Sequence, residues 1–359
     1  MPRPEPRSTV DWLRFLSGLP GIPGHEAPAA DAIAKAFSIH ADRVERDRAG
    51  NVHGWIEGSA PAPRPRAMFA AHMDRIGFLV KAIEPGGFLR LTELGGFDAR
   101  TLLAKEVVIH STPPIVGLFA TKPPHLLKKG EADRVIPSED LYLDTGRPER
   151  EVRRLVPVGT PVTLRQTPID LLGGQLAAPA MDDRAGVAVL LRMLEILHTD
   201  RPEWDVVVVA TVEEEFGLYC LGAKTASESL DPQLGVAIDV THGDMPGVRA
   251  GETYPLGDGP SICVGGNIHP LVFEGMRRSA RALGIPYQVE GCPITSATDA
   301  MDIQIAREGV PTGVIGVPCR YMHTAVETIA PSDVDRCARV LAHFVASLEP
   351  SWRAVEVLK

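Results

Sequence analysis

The chain of 359 residues has few cysteines, no long apolar run and no excess of positive charge, and each shortage narrows its class. The five cysteines, Cys220, Cys263, Cys292, Cys319 and Cys337, are odd in number, scattered and without a CxxC pair. They read as reduced, mostly buried thiols, not as a disulfide framework. No segment approaches about 18 unbroken apolar residues, and the N-terminal MPRPEPRSTVDWLRFL has no apolar signal core, so neither a membrane span nor a leader is expected. The net charge of −9 gives no basic footprint for nucleic acid or anionic lipid. A GxSxG elbow and a P-loop are both missing, which leaves serine-hydrolase and NTPase readings without support. GHEAPAA resembles HExxH only superficially. Ala29 stands where the second histidine belongs, and Pro28 interrupts the helix that motif requires. What remains is a cytoplasmic enzyme, with about two domains by length.

Hydrophobic content of 44% and charged content of 23% suit an ordinary globular core. The spacing predicts a helix from Ser8 or Thr9 and another over 27–39. A strand pair is expected over 44–56 around Gly50-Asn51, and an apolar strand over 67–71 ends at His72. From about Gly77 to Arg165 short runs such as FLVKAI, EVVIHS and PIVGLFA are separated by Gly and Pro turns, the texture of a small all-β barrel or sandwich. Beyond Gln175, helices over 185–197, 269–283 and 332–348 alternate with strands over 206–212, 234–240 and 312–317. Continuous apolar strands between helices predict an α/β domain with a mostly parallel sheet and helices on both faces. The expected division is 1–74 with 170–359 as one α/β domain, interrupted by an inserted β module at 75–169.

In such a sheet, ligands bind beyond the carboxyl ends of the strands. His72 and Asp74 stand at one such end, Glu213, Glu214 and Glu215 at another, and Asp239 at a third. Asp182 and Asp183 precede a helix, and His323 follows the last strand. Any one of these alone is an ordinary cap or loop residue. Together they form the nitrogen and oxygen ligand set of zinc or cobalt, whose charge would turn repulsion among adjacent glutamates into attraction.

The motifs GIPGHE, AHMDRIGFLV, TKPPHLL with DLYLDTG, MDDRAG, EEEFGL, AIDVTHGD, ATDA and RYMHTAVE, in this order from roughly Leu13 to Leu348, resemble the tetrahedral aminopeptidases. These are also called glutamyl or deblocking aminopeptidases and are dinuclear-metal exopeptidases. The resemblance implies two divalent ions per subunit, zinc or cobalt. His72 and Asp239 would hold one, Glu215 and His323 the other, and Asp182 would bridge them. It implies Glu214 as general base acting on a water between the ions, and Asp74 as the group that orients His72. His242, Asp299 and His125 become candidate substrate contacts; the competing reading is a hydrogen-bonded loop residue for His125 and His242 and a helix cap for Asp299. The implied substrates are short peptides, and the implied assembly is a dimer, formed through the β module, that builds a hollow dodecamer. A same-fold hydrolase of small amides or acylated amino acids is the alternative, since the ligand set serves both. A non-catalytic scaffold is disfavoured because no ligand is missing. Two positions depart from the family pattern: Arg75 replaces a usual Glu, and Ala178-Pro179 replaces a usual Gly-Lys pair. Cys220 and Cys319, close to these motifs, are expected to be packing residues and not nucleophiles.

Overall fold

The computed structural model describes residues 8–130, 133–249, 251–293 and 295–354. The first helix, Thr9–Ser17, starts where expected: the Ser8 hydroxyl accepts from the Asp11 amide at 3.2 Å, and Trp12, Leu13 and Leu16 turn inward. The main sheet has the strand order Arg43–Arg46, Val52–Ile56, Asp205–Thr211, Arg66–His72, Leu234–His242, Thr312–Arg320, Glu327–Ile329, Gln175–Ala178 and Ile169–Leu171. The strands Asp205–Thr211, Arg66–His72, Leu234–His242 and Thr312–Arg320 run parallel through its centre, and the shorter outer strands pair antiparallel. The fold class is therefore the expected one.

The unbroken apolar runs follow from burial on both faces. Val206, Val208, Phe69 and Ala71 pack toward the helices Thr9–Ser17, Met181–Thr199 and Pro331–Ala346. The alternate residues Val207, Val209, Met68 and Ala70 pack against the helix Leu221–Leu230 and against Ile303. Register then decides where function collects. Thr211 lies opposite His72, and Asp239 lies opposite Gly316, so the carboxyl ends of the central strands form one edge.

Between the strand ending at His72 and the strand starting at Gln175 stands a closed barrel. Its order is Gly77–Ile83, Leu89–Leu94, Tyr142–Asp144, Ile115–Ala120, Glu106–Ile109 and Pro161–Leu164. Its core is Phe78, Leu89, Leu91, Val107, Ile109, Phe119, Leu143 and Val162, from the inward-facing residues of each strand.

Some elements differ from expectation. The helix expected over 185–197 begins at Met181, with Asp182 and Asp183 in non-helical conformation inside its first turn. The helices Leu221–Leu230 and Glu149–Leu155 were unforeseen because neither carries a clear apolar stripe. The parallel pair Ser261–Gly265 and Gln288–Cys292, which branches from the sheet beside Thr312–Arg320, was also missed. Its strands are short and interrupted by Gly265, Glu290 and Gly291. Among the described residues, no helix is long and apolar enough to cross a membrane.

Candidate metal centre

His72 ends its strand fully enclosed, with Nε2 at 3.1 Å from Asp182 Oδ1 and 3.9 Å from Asp239 Oδ1. His323 Nε2 lies 3.3 Å from Asp182 Oδ2 and 3.3 Å from Glu215 Oε1. Asp182 thus turns one oxygen to each imidazole. The five expected ligand residues meet in one cluster, brought there by four strand ends and one helix start. Asp183 joins it: one ligand atom each from His72, Asp183 and Asp239 lie within 4.8 Å of one another, as do those of His72, Asp182 and Glu215.

Asp74 has no solvent exposure and accepts from the Glu214 amide at 3.2 Å and from the Glu215 amide at 2.9 Å. Its Oδ1 is 3.6 Å from His72 Nδ1, and its carbonyl oxygen is 3.2 Å from the same nitrogen. One carboxylate therefore links the imidazole to the backbone that presents two of the glutamates. The third, Glu213, takes a left-handed conformation (φ 55°), and its amide donates to Glu26 at 3.2 Å. Glu213 is thereby turned out of the cavity wall that Glu214 and Glu215 share.

Residues missed from the sequence hold this cluster from behind. Glu327, 1% exposed, accepts from the Asp182 amide at 3.1 Å and from the His323 amide at 2.9 Å. Glu26, at the end of GIPGHE, also accepts from the Gly24 amide at 2.9 Å. Asp183 accepts from the Gly186 amide at 2.9 Å, and a Cβ on Gly186 would stand 2.2 Å from that carboxylate, so only glycine fits. The doubled aspartate and the glycine of MDDRAG were the available signal. Glu327 closes the motif RYMHTAVE, which was read only for His323, and it lies in a strand of three residues.

Electrostatics point to missing positive charge. Burial pushes Glu214 up to about 10, against attraction to His72 and with repulsion from Asp239 and Asp299. Burial and Asp183 push Asp239 far above the carboxylate range, while burial and Asp182 raise Glu215. Burial alone would lower His323, but hydrogen bonds to Asp182 and Glu215 lift it to about 11. Asp183 Oδ2 and Asp299 Oδ1 are buried without a hydrogen-bond partner among the described residues. So many buried carboxyl groups require cations, protons or both. The donor set of imidazole nitrogens and carboxylate oxygens fits divalent zinc or cobalt.

A cavity of about 620 Å³ opens beside the cluster, lined by Glu214, Glu215, His323, Phe216, Met301 and Gly96, among others. Asp299 lies behind it and accepts from the Thr211 hydroxyl at 2.6 Å; its side chain makes no helix-cap bond. The structure does not bring His242 or His125 to this cavity wall. His242 ends its strand exposed, its carbonyl accepting from the Tyr254 amide, and His125 sits exposed in a short turn of the barrel module. Cys220 and Cys319 are buried, with the Cys220 sulfur 3.8 Å from Glu214 Oε1. Arg75 is enclosed, donates to the Ser17 carbonyl at 3.4 Å and faces the charge of Glu327. Pro179 follows the strand Gln175–Ala178, and Ala180 turns left-handed (φ 58°) into the Asp182 segment.

Residues 50–340 match the profile of the family described as M42 glutamyl aminopeptidase. The chain is similar to the lysyl aminopeptidase of Pyrococcus furiosus, with 33% identity over 348 residues, covering 95% of this chain and 98% of that protein. Among solved structures it is similar to an aminopeptidase from the archaeon Desulfurococcus kamchatkensis, with a TM-score of 0.88 at 34% identity over 96% of each chain. A Pyrococcus horikoshii peptidase, described as able to assemble into a tetrahedron or a large octahedral shell, matches with a TM-score of 0.83 at 28% identity. That match covers 95% of this chain and 100% of the other.

Proposed function

The chain belongs to the M42 glutamyl aminopeptidase family, and from that premise we propose that it removes N-terminal residues from short peptides using two divalent cations held side by side. His72 and Asp239 would hold one cation, Glu215 and His323 the other, with Asp182 between them. The observation that carries this reading is the position of Asp182, whose two oxygens face two different histidines. When bound, such cations would lower the pKa of a water towards neutrality and polarise the scissile carbonyl.

The chain's own residues supply the rest. Glu214 sits at the cavity wall and receives the proton of the attacking water, then passes it to the departing amine. Neighbouring cation charge would bring its carboxyl down from the high value that burial imposes, so that it is ionised when needed. Asp74 keeps His72 and the Glu214–Glu215 backbone in mutual register. The acidic lining attracts a protonated α-amine, which selects for a free N-terminus. The Pyrococcus horikoshii peptidase supports a homo-oligomer here as well, and residues 75–169 would be the module through which the dimer forms.

The test is Glu214→Gln in the full chain. Metal content per chain should match the parent, while kcat on aminoacyl-anilides falls about 10²–10⁴-fold. Turnover close to that of the parent would remove Glu214 from the mechanism.

A further inference from the structure

The parallel strands Ser261–Gly265 and Gln288–Cys292 place a second group of metal-binding side chains away from the centre described above. Pairing sets Cys263 opposite Glu290 and Gly265 opposite Cys292. The alternation of a strand then turns Cys263, Glu290 and Cys292 to one face. Both sulfurs and a Glu290 oxygen lie within 4.8 Å of one another. The thiols are shielded, at 3% and 9% exposure, against Ala237, Ile268, Ala300 and Val314.

Two further features separate this group from three residues that merely happen to be close. The Glu290 carboxylate is held at both oxygens: Oε1 accepts from the Thr241 hydroxyl at 2.9 Å and Oε2 from the Ser261 hydroxyl at 2.7 Å. Such outer donors orient a carboxylate ligand and leave each oxygen a free lone pair. The strand stagger also argues against the competing fate of paired thiols. Cys263 and Cys292 are diagonal neighbours on parallel strands, two residues out of step, which puts their Cα atoms about 8 Å apart. A disulfide needs less than about 7 Å. The cysteines are close enough to share a cation and too far apart to bond without moving the backbone.

We propose that Cys263, Cys292 and Glu290 bind a thiophilic divalent cation such as Zn²⁺, with water completing the coordination. Two thiolates and a carboxylate are a zinc ligand set, and binding releases both thiol protons to solvent. The cation would fasten the outer strand Gln288–Cys292 to its neighbour. The chain that leaves Cys292 carries Thr295 and Ala297 to the wall of the active cavity. The site would therefore steady one wall of the substrate cavity without touching the reacting atoms.

The experiment titrates the metal-free full-length protein with Co²⁺ and follows thiolate-to-cobalt charge-transfer absorption in the near ultraviolet. The ligands proposed for the aminopeptidase centre contain no sulfur, so that centre cannot produce the band. The expected result is a band whose limiting amplitude corresponds to one thiolate-bound Co²⁺ per chain, whatever the total Co²⁺ taken up, and which disappears in Cys263→Ser and Cys292→Ser and persists in Cys220→Ser. Glu290→Gln, which keeps both thiols, should weaken this Co²⁺ binding by about tenfold or more. No band in the parent protein, or a band that survives in both cysteine variants, overturns the proposal. So does a Cys263–Cys292 disulfide found by thiol labelling of denatured parent protein. Each of these outcomes leaves the aminopeptidase reading intact, because none of them reads turnover.

Discussion

The barrel and the carboxyl edge of the main sheet bury different kinds of side chain. In the barrel the enclosed residues are Phe78, Leu89, Val107, Ile109, Phe119, Leu143 and Val162, and its buried polar residues are the neutral Ser111, Thr160 and Thr163. Its charges pair in the open, as in Arg153 with Glu149. At the sheet edge His72, Asp74, Asp182, Asp183, Glu215, Asp239, Asp299 and Glu327 are all enclosed. The barrel's interior is stabilised by apolar burial. The edge keeps charged groups out of water without enough opposite charge, so its stability and its chemistry both depend on added cations.

Damage to the barrel should leave the metal centre alone. Ile109→Ala removes a fully enclosed side chain and should cost about 2–5 kcal/mol in thermal or urea unfolding. Metal bound per folded chain should stay at the parent value. Loss of metal in step with loss of stability would mean that the two regions are not separable.

Glu327→Gln probes the converse. It removes the carboxylate that accepts from both the Asp182 and the His323 amides. Affinity for the cations should fall about 10–100-fold, as for other residues that orient ligands. The chelated variant should lose no more than about 1–3 kcal/mol, because one of the two amides loses its acceptor. A large loss of stability in the chelated form would assign Glu327 to the fold instead.

The smallest effect is in pH. In the chelated protein, burial and Asp74 raise Glu26 to about 7, and burial and Asp182 raise Glu327 to about 8, both from an ordinary 4.5. The folded state therefore holds protons that the unfolded chain has already released. This stabilisation is complete below about 4.5 and is lost as pH rises through 7 and 8. Tm of the chelated protein should fall with rising pH across that window, by roughly 1–2 °C for each kcal/mol lost. Saturating zinc should flatten the slope. A chelated protein whose Tm rises over the same range would contradict the assigned directions.

Sequence reading succeeded where position along a strand determines location. His72, Glu215 and Asp239 follow apolar runs whose parallel pairing forces their ends together, so the cluster could be read before any coordinates. Glu327 and Glu26 could not be read in this way. Glu327 acts through amides 145 and 4 residues away, and Glu26 through an amide 187 away. No periodicity records such contacts. The edge strands Ser261–Gly265 and Gln288–Cys292 escaped for a related reason: each is short, and only long-range pairing makes it a strand. His242 and His125 were drawn in by their motifs, but in this chain they lie away from the cavity wall.

The central claim is that Asp182 stands between two cations. Anomalous diffraction at the zinc edge, from crystals of the zinc-loaded full chain, tests it directly. The account predicts two peaks flanking the Asp182 carboxylate, one toward His72 and Asp239 and the other toward His323 and Glu215. A single peak there, or none, would contradict it.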